Sequence, residues 1–300
     1  MAKKDILITA VDGYQLSCSV FEASTPKAVV QIIHGMEEHK ERYDLFAEFL
    51  ATKGLTVITS DLRGHGKNAP ILSHISNKRG DKLLIEDQKA IRKYIEEKYP
   101  ELPVYLFGHS MGTIISRVLI QSEGDKYEKV ALSGYVNPNP VAGIAVALTH
   151  IINCFKGPKG HSKLLTTLST GSFNKTIENP RTELDWLSYN EENVDRYIAS
   201  PLCGVEFTIG SYYALMKLLS RMGKAKAYKQ AKEATPILLI AGKDDPCTGF
   251  EKGREDSKAL LEKAGYKAIE VVTLENMRHE ILNEKENQKV YEEIANFFLK

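Results

Sequence analysis

The chain has 300 residues, with 40 Lys plus Arg against 39 Asp plus Glu and 43% hydrophobic residues. That length buries a full core, as one large domain or as a domain carrying a sizeable insertion. A net charge of +1 argues against nucleic acid or bulk anionic surfaces as partners.

Met1-Ala2-Lys3-Lys4-Asp5 is a charged start with no apolar segment of signal-peptide length behind it. The longest apolar stretch, Val141 to Ile152, is broken by Thr149 and His150 and is too short to span a bilayer. Cys18, Cys154, Cys203 and Cys247 show neither metal spacing nor a disulfide framework. A cytoplasmic protein with free thiols is expected. Ile6 to Phe21 predicts two strands around Asp12-Gly13, a primed-turn hairpin signal. Ala28–Ile33, Leu55–Ser60, Val104–Phe107 and Lys129–Ser133 are apolar strand runs, with helix patterns over Glu41–Lys53 and Leu83–Lys98. Near the C-terminus, strands at Pro236–Ala241 and Ala268–Thr273 flank a helix over Lys252–Ala264, and a last helix covers Glu286–Leu299. This alternation predicts an α/β fold, a mostly parallel sheet with helices on both faces.

The alternation stops between Tyr135 and Ala234, where Pro138, Pro140, Pro180 and Gly157-Pro158-Lys159-Gly160 interrupt helix-like segments. A mainly helical cap over 136–234, inserted into a core of 1–135 and 235–300, is expected. Arg221 to Lys232, with Lys224, Lys226 and Lys229 among Ala and Gln, reads as a solvated helix face.

Gly108-His109-Ser110-Met111-Gly112 follows the Val104–Phe107 strand and opens a helix-compatible run. A serine lifted on such a strand-to-helix elbow is placed to attack an acyl carbon. It needs a base for its proton and a carboxylate to hold that base. In open α/β sheets such groups gather beyond the carboxyl ends of the strands. Asp244 and Asp245 follow one later strand, with Asp245 the preferred acid, and His279 follows the last. The order Ser, Asp, His is the one expected of this elbow in an α/β-hydrolase sheet. Two N–H donors for an oxyanion are expected at Met111 and at Met36, in the loop His34-Gly35-Met36-Glu37-Glu38-His39. His34 and His39 have no Cys or Asp partner at metal-ligand spacing, so no metal site is expected.

These residues resemble the α/β-hydrolases of the monoacylglycerol lipase and lysophospholipase group, of serine aminopeptidase type. The resembling segments are His34 to His39 with Arg42-Tyr43, Asp61-Leu62-Arg63-Gly64-His65-Gly66, the Ser110 pentapeptide, Gly242-Lys243-Asp244-Asp245-Pro246 and Arg278-His279-Glu280. The resemblance implies Ser110 as nucleophile, His279 as base, Asp245 as acid and Met36 and Met111 as oxyanion amides. Asn68 stands where serine is common in the Asp61–Gly66 turn. The cap resembles the group only through Asp185-Trp186-Leu187-Ser188 and Pro201-Leu202-Cys203-Gly204.

The substrate-binding candidates are Gly35 and His109 beside the nucleophile and Ile144, Tyr212 and Met216 in the cap, where Tyr213, Leu215, Leu218 and Leu219 accompany them. The expected activity is hydrolysis of single-chain acyl esters, without metal or organic cofactor. Partners are the small-molecule ester itself and, through the cap, transient contact with a membrane or micelle. Two other readings stay open. One is an aminopeptidase or amidase using the same triad, with Glu183, Asp185, Glu191, Glu192 or Asp195 to hold an amino terminus. The other is a non-catalytic binding protein on a hydrolase fold.

Overall fold

The structure, a computed structural model, describes residues 3–300. Strands β1 (Lys3–Thr9) and β2 (Gln15–Phe21) form an antiparallel hairpin with Ile6 opposite Cys18. Its turn is longer than the two-residue primed turn expected. Ala10 N–H donates to Tyr14 O at 2.8 Å and Gly13 N–H to Ala10 O at 2.9 Å. That leaves Val11-Asp12-Gly13 as a three-residue loop, closed by Gly13 at φ 84°.

Six further strands complete one sheet: β3 (Ala28–Ile33), β4 (Leu55–Ser60), β5 (Val104–His109), β6 (Lys129–Ser133), β7 (Ile237–Gly242) and β8 (Ile269–Leu274). Their order is β1-β2-β4-β3-β5-β6-β7-β8, and β3 to β8 all run parallel. β3, β4, β5 and β7 are buried along their whole length, which explains their mostly apolar runs. Edge strand β8 is half-exposed.

On one face, α2 (Gly80–Lys98) and α3 (Met111–Glu123) share a core with the sheet. On the other, α1 (Asp44–Thr52) packs with the C-terminal helix through Phe46, Leu50, Val290, Ile294 and Phe298. Between β6 and β7 lie α4 (Ala142–Lys156), α5 (Lys163–Ser169), α6 (Glu191–Ala199) and α7 (Ile209–Met222), without a strand. α7 docks on α2, α3 and α4, so the insertion is anchored to the sheet domain. The lysine-rich stretch from Arg221 leaves α7 at Met222 and continues as a short 3-10 turn, Ala225–Ala227, rather than as the helix face expected. The helices α8 (Phe250–Ala264) and α9 (Asn287–Leu299) complete the chain. Among the described residues no helix is long and apolar enough to cross a membrane.

The strand order reverses at β3, whose neighbours are β4 and β5. Open α/β sheets place their ligand crevice at such a switch point, beyond the carboxyl ends of the strands. Here Ile33 pairs with Gly108, so the loop after β3 and the elbow after β5 leave the sheet side by side.

Candidate active site

Ser110 sits between β5 and α3 at φ 51°, ψ −119°. That left-handed backbone is strained for a side-chain-bearing residue and is held by its surroundings. Ser110 N–H donates to Ser133 O at 3.0 Å, and Thr113 Oγ1 donates to Ser110 O at 2.7 Å. The buried Arg117 donates in turn to Thr113 O at 3.2 Å. Gly35 is required by close approach: a Cβ there would lie 2.7 Å from Glu38 Oε1 and 3.1 Å from Ser110 Cβ.

Asp245 and His279 meet across the ends of β7 and β8. Asp245 is fully buried, its Oδ2 3.0 Å from His279 Nδ1, while its Oδ1 accepts Cys247 N–H at 2.8 Å. Asp244 points elsewhere and accepts from Tyr189 OH at 3.0 Å. Burial opposes charge on His279, but the adjacent Asp245 carboxylate outweighs it and raises the ring well above its ordinary value. The Trp186 ring covers His279 at 5.1 Å between centroids, and Glu280 N–H donates to Leu187 O at 2.7 Å. The cap segment Asp185–Ser188 thus closes over the histidine.

Ser110 Oγ makes no direct hydrogen bond to His279 among the described residues; the buried Cys247 thiol lies within 4.8 Å of a His279 ring nitrogen. Burial pushes that thiol up, so it stays neutral beside the pair. Cys247 stands two residues after the acid, which is the signal the sequence offers for its place here. Asp245, Cys247 and His279 converge closely enough to suggest a metal. Yet both Asp245 oxygens are already engaged and the thiol is held protonated, so the donors do not suit a cation.

The amides of Met36 and Met111 remain unengaged among the described hydrogen bonds. Met111 is the first residue of α3, where an N–H has no intrahelical partner. The loop carrying Met36 is braced by a network that sequence reasoning missed. Glu38 Oε1 accepts Gly35 N–H at 2.6 Å and Tyr43 OH at 2.8 Å. Arg42 bonds Glu38 at 2.8 Å and grips Glu280 through two bonds of 2.6 Å. Burial alone would raise Glu38, but Arg42 beside it brings the carboxyl down to about 2. Glu38 and Arg42 stand four apart, the spacing of a helical ion pair; nothing in the sequence pointed from Arg42 to Glu280.

His109 packs its ring 4.8 Å from that of His279, and burial lowers it to about 4, keeping it neutral. His34 spends both ring nitrogens locally, Nδ1 at 2.7 Å from Gly35 O and Nε2 accepting Leu62 N–H at 2.9 Å. His39 turns to Glu41 at 2.6 Å.

These groups border a cavity of about 490 Å³ roofed by the insertion. Gly35, Met36, His109, Ser110, Met111 and His279 line its floor, and Tyr212, Leu215, Met216 and Leu219 of α7 line one wall. Ile144 does not line it. α4 faces the cavity with Ala145, Leu148 and Thr149, one helical face, which turns Ile144 outward at 69% exposure. Tyr213 and Leu218 also fall outside the lining. The same is true of Glu183, Asp185, Glu191, Glu192 and Asp195, and Asp185 instead accepts Arg181 N–H at 2.5 Å.

Residues 24–286 match the protein family described as serine aminopeptidase, S33. The chain is similar to the monoacylglycerol lipase of Mycolicibacterium smegmatis, 26% identical over 294 residues that cover 96% of this chain and 94% of the relative. It is also similar to the monoglyceride lipase of Rattus norvegicus, 27% identical over 248 residues, 78% of this chain and 71% of the relative. In fold it matches a thermostable carboxyl esterase from Bacillus coagulans with a TM-score of 0.89 at 24% identity, over 99% of this chain and 98% of that one. The chain belongs to the serine aminopeptidase, S33, family and has the α/β-hydrolase fold.

Proposed function

We propose that the protein is a serine esterase hydrolysing single-chain acyl esters, of monoacylglycerol or lysophospholipid kind, through an acyl-enzyme on Ser110. One observation carries this reading. A strained serine sits on the floor of a largely apolar cavity together with two unengaged amides and a histidine backed by a buried carboxylate. His279 takes the Ser110 proton as Oγ attacks the acyl carbon. The Met36 and Met111 amides receive the oxyanion, each such donor being worth about 10²–10³ in rate. His279 then protonates the leaving alcohol, and water cleaves the acyl-enzyme through the same histidine. The Ser110–His279 hydrogen bond forms when substrate is bound, as catalytic contacts often tighten only then. The scheme uses no metal or organic cofactor.

Residues 1–135 and 235–300 act as the catalytic core and 136–234 as a cap that holds the acyl chain. The monoglyceride and monoacylglycerol lipases among the relatives favour this substrate class. Ile144, Ile151 and Phe155 on α4 and Leu164 and Leu168 on α5 are exposed apolar side chains of the cap. They support transient docking on a micelle or membrane by an otherwise cytoplasmic enzyme. The family's aminopeptidase designation keeps an amide substrate in view. The test compares acyl esters of increasing chain length with aminoacyl amides. The proposal expects ester turnover that rises with chain length; a clear preference for aminoacyl amides overturns it.

A further inference from the structure

Glu37 follows the oxyanion amide of Met36 and is held in the left-handed region, at φ 57°, where glycine is the usual occupant. Four contacts fix it there. Its carbonyl accepts Tyr197 OH at 2.8 Å and Gly204 N–H at 2.9 Å, its N–H donates to His65 Nε2 at 3.3 Å, and its Oε1 accepts Phe207 N–H at 3.1 Å. Oε2 has no protein partner among the described residues, and Glu37 lines the catalytic cavity. Glu206 lines the same cavity, accepting Thr166 Oγ1 at 2.7 Å, and Thr166 Oγ1 also accepts Tyr212 OH at 3.2 Å. Tyr212 opens the cavity wall of α7, which turns apolar at Leu215 and Met216 and stays so to Leu219, about 10 Å of helix from Tyr212.

The cavity is therefore polar at one end and apolar along α7, and an acyl chain and its headgroup divide between the two accordingly. No lysine or arginine is among the lining residues, while four glutamates are. Glu38 and Glu280 share Arg42, whose single positive charge offsets one of the two carboxylates. Glu37 has no ion-pair partner among the described residues, and Glu206 has only the half-exposed His161, at 3.5 Å.

Resting on the acyl-ester reading, we propose that Glu37, assisted by Glu206, forms the headgroup end of the cavity. It admits leaving alcohols that donate hydrogen bonds and rejects those that carry negative charge. Glycerol hydroxyls satisfy Oε2, whereas a phosphate there faces two carboxylates with no cation between them. Juxtaposed like charges in a recognition site exclude the wrong partner.

The test pairs 1-dodecanoylglycerol with 1-dodecanoyl-glycerophosphoglycerol, whose single negative charge is constant between pH 6 and 8, both as monomers below their critical micelle concentrations. At pH 8 the wild-type kcat/KM favours the neutral ester by at least about tenfold. Glu37→Gln contracts that ratio by about tenfold, mostly by lowering KM for the charged ester, and Glu206→Gln contracts it less. A folded Glu37→Gln protein with the wild-type ratio overturns the proposal, as does a wild type without preference.

Where the variant does not fold, the wild-type ratio against pH decides. Burial pushes Glu37 up to about 7. Of the groups facing it, burial holds His65 at about 4 and raises Tyr197 and Tyr212, so their charges do not change over this range. The others are Glu206 and its partner His161. The ratio grows as pH rises from 6 to 8; a flat ratio overturns the proposal. Hydrolysis of neither ester overturns the acyl-ester reading itself, whereas equal hydrolysis of both overturns only the charge selection.

Discussion

Replacing Asp245 by Asn preserves shape and removes charge at a fully buried position 3.0 Å from His279 Nδ1. At that separation and an effective dielectric near 20, carboxylate and imidazolium attract by about 5 kcal/mol. The imidazolium exists only once His279 has taken the serine proton, so this attraction acts on the transition state. A loss of about 5 kcal/mol corresponds to a fall in kcat of about 10⁴, the scale seen when a triad aspartate becomes asparagine elsewhere. The pH profile carries a second signature. His279 is raised because the carboxylate outweighs burial. Catalysis needs the neutral ring, so wild-type kcat/KM falls on the acid side with a midpoint above about 6.5, the ordinary histidine value. In Asp245→Asn the largest of the influences that raise the ring is gone while burial still opposes its charge, and the midpoint moves down. Asp244→Asn loses only a contact to the exposed Tyr189 hydroxyl and changes stability by no more than about 0.5 kcal/mol and activity little. The assay is kcat/KM for a soluble short-chain ester from pH 5 to 9 for all three proteins. A full-rate Asp245→Asn enzyme, or an unmoved acid limb on its residual activity, refutes the assignment.

Other consequences follow from the same geometry. Ser110→Ala abolishes acyl-enzyme formation and leaves at most about 10³–10⁴-fold acceleration over water, measured by steady-state ester hydrolysis. Glu38→Gln removes the carboxylate that Arg42 depresses from 4.5 to about 2, a shift worth about 3 kcal/mol, and lowers stability by about that much in urea unfolding at neutral pH. Because Arg42 depresses Glu38 to about 2 when folded, the wild type holds this stabilisation above about pH 4.5 and loses it as pH falls toward 2; the variant's stability is flatter across that window. Met216→Trp fills the apolar wall and cuts kcat/KM for a long-chain ester at least about tenfold while sparing a short one. Ile144→Ser leaves turnover of monomeric ester intact but weakens binding to lipid vesicles, since this side chain faces solvent rather than the cavity.

The middle of the sheet was legible because its central strands are buried on both sides and read as mostly apolar runs, down to Lys129–Ser133, where expectation and structure coincide. Ser110, Asp245 and His279 were locatable from the sequence because each follows a strand end, and parallel register brings strand ends together. The hairpin turn was misread because Asp-Gly serves both the two-residue turn and the last positions of a three-residue loop; the register that separates them is set by Ala10 and Tyr14. Ile144 was misplaced for a different reason. An apolar helix shows the sequence no difference between a side facing a cavity and a side facing outward, and α4 is apolar on both. The Glu38–Arg42–Glu280 brace and the headgroup position of Glu37 escaped because they join residues from loops far apart in the chain, where charge alone shows no partner.

The central claim, nucleophilic attack from Ser110, is tested most directly by treating the folded protein with a fluorophosphonate and locating the adduct by mass spectrometry. The account predicts one stoichiometric adduct on the peptide bearing Ser110, absent from Ser110→Ala and slowed in Asp245→Asn. A folded wild type that stays unlabelled, or an adduct that persists in Ser110→Ala, contradicts it.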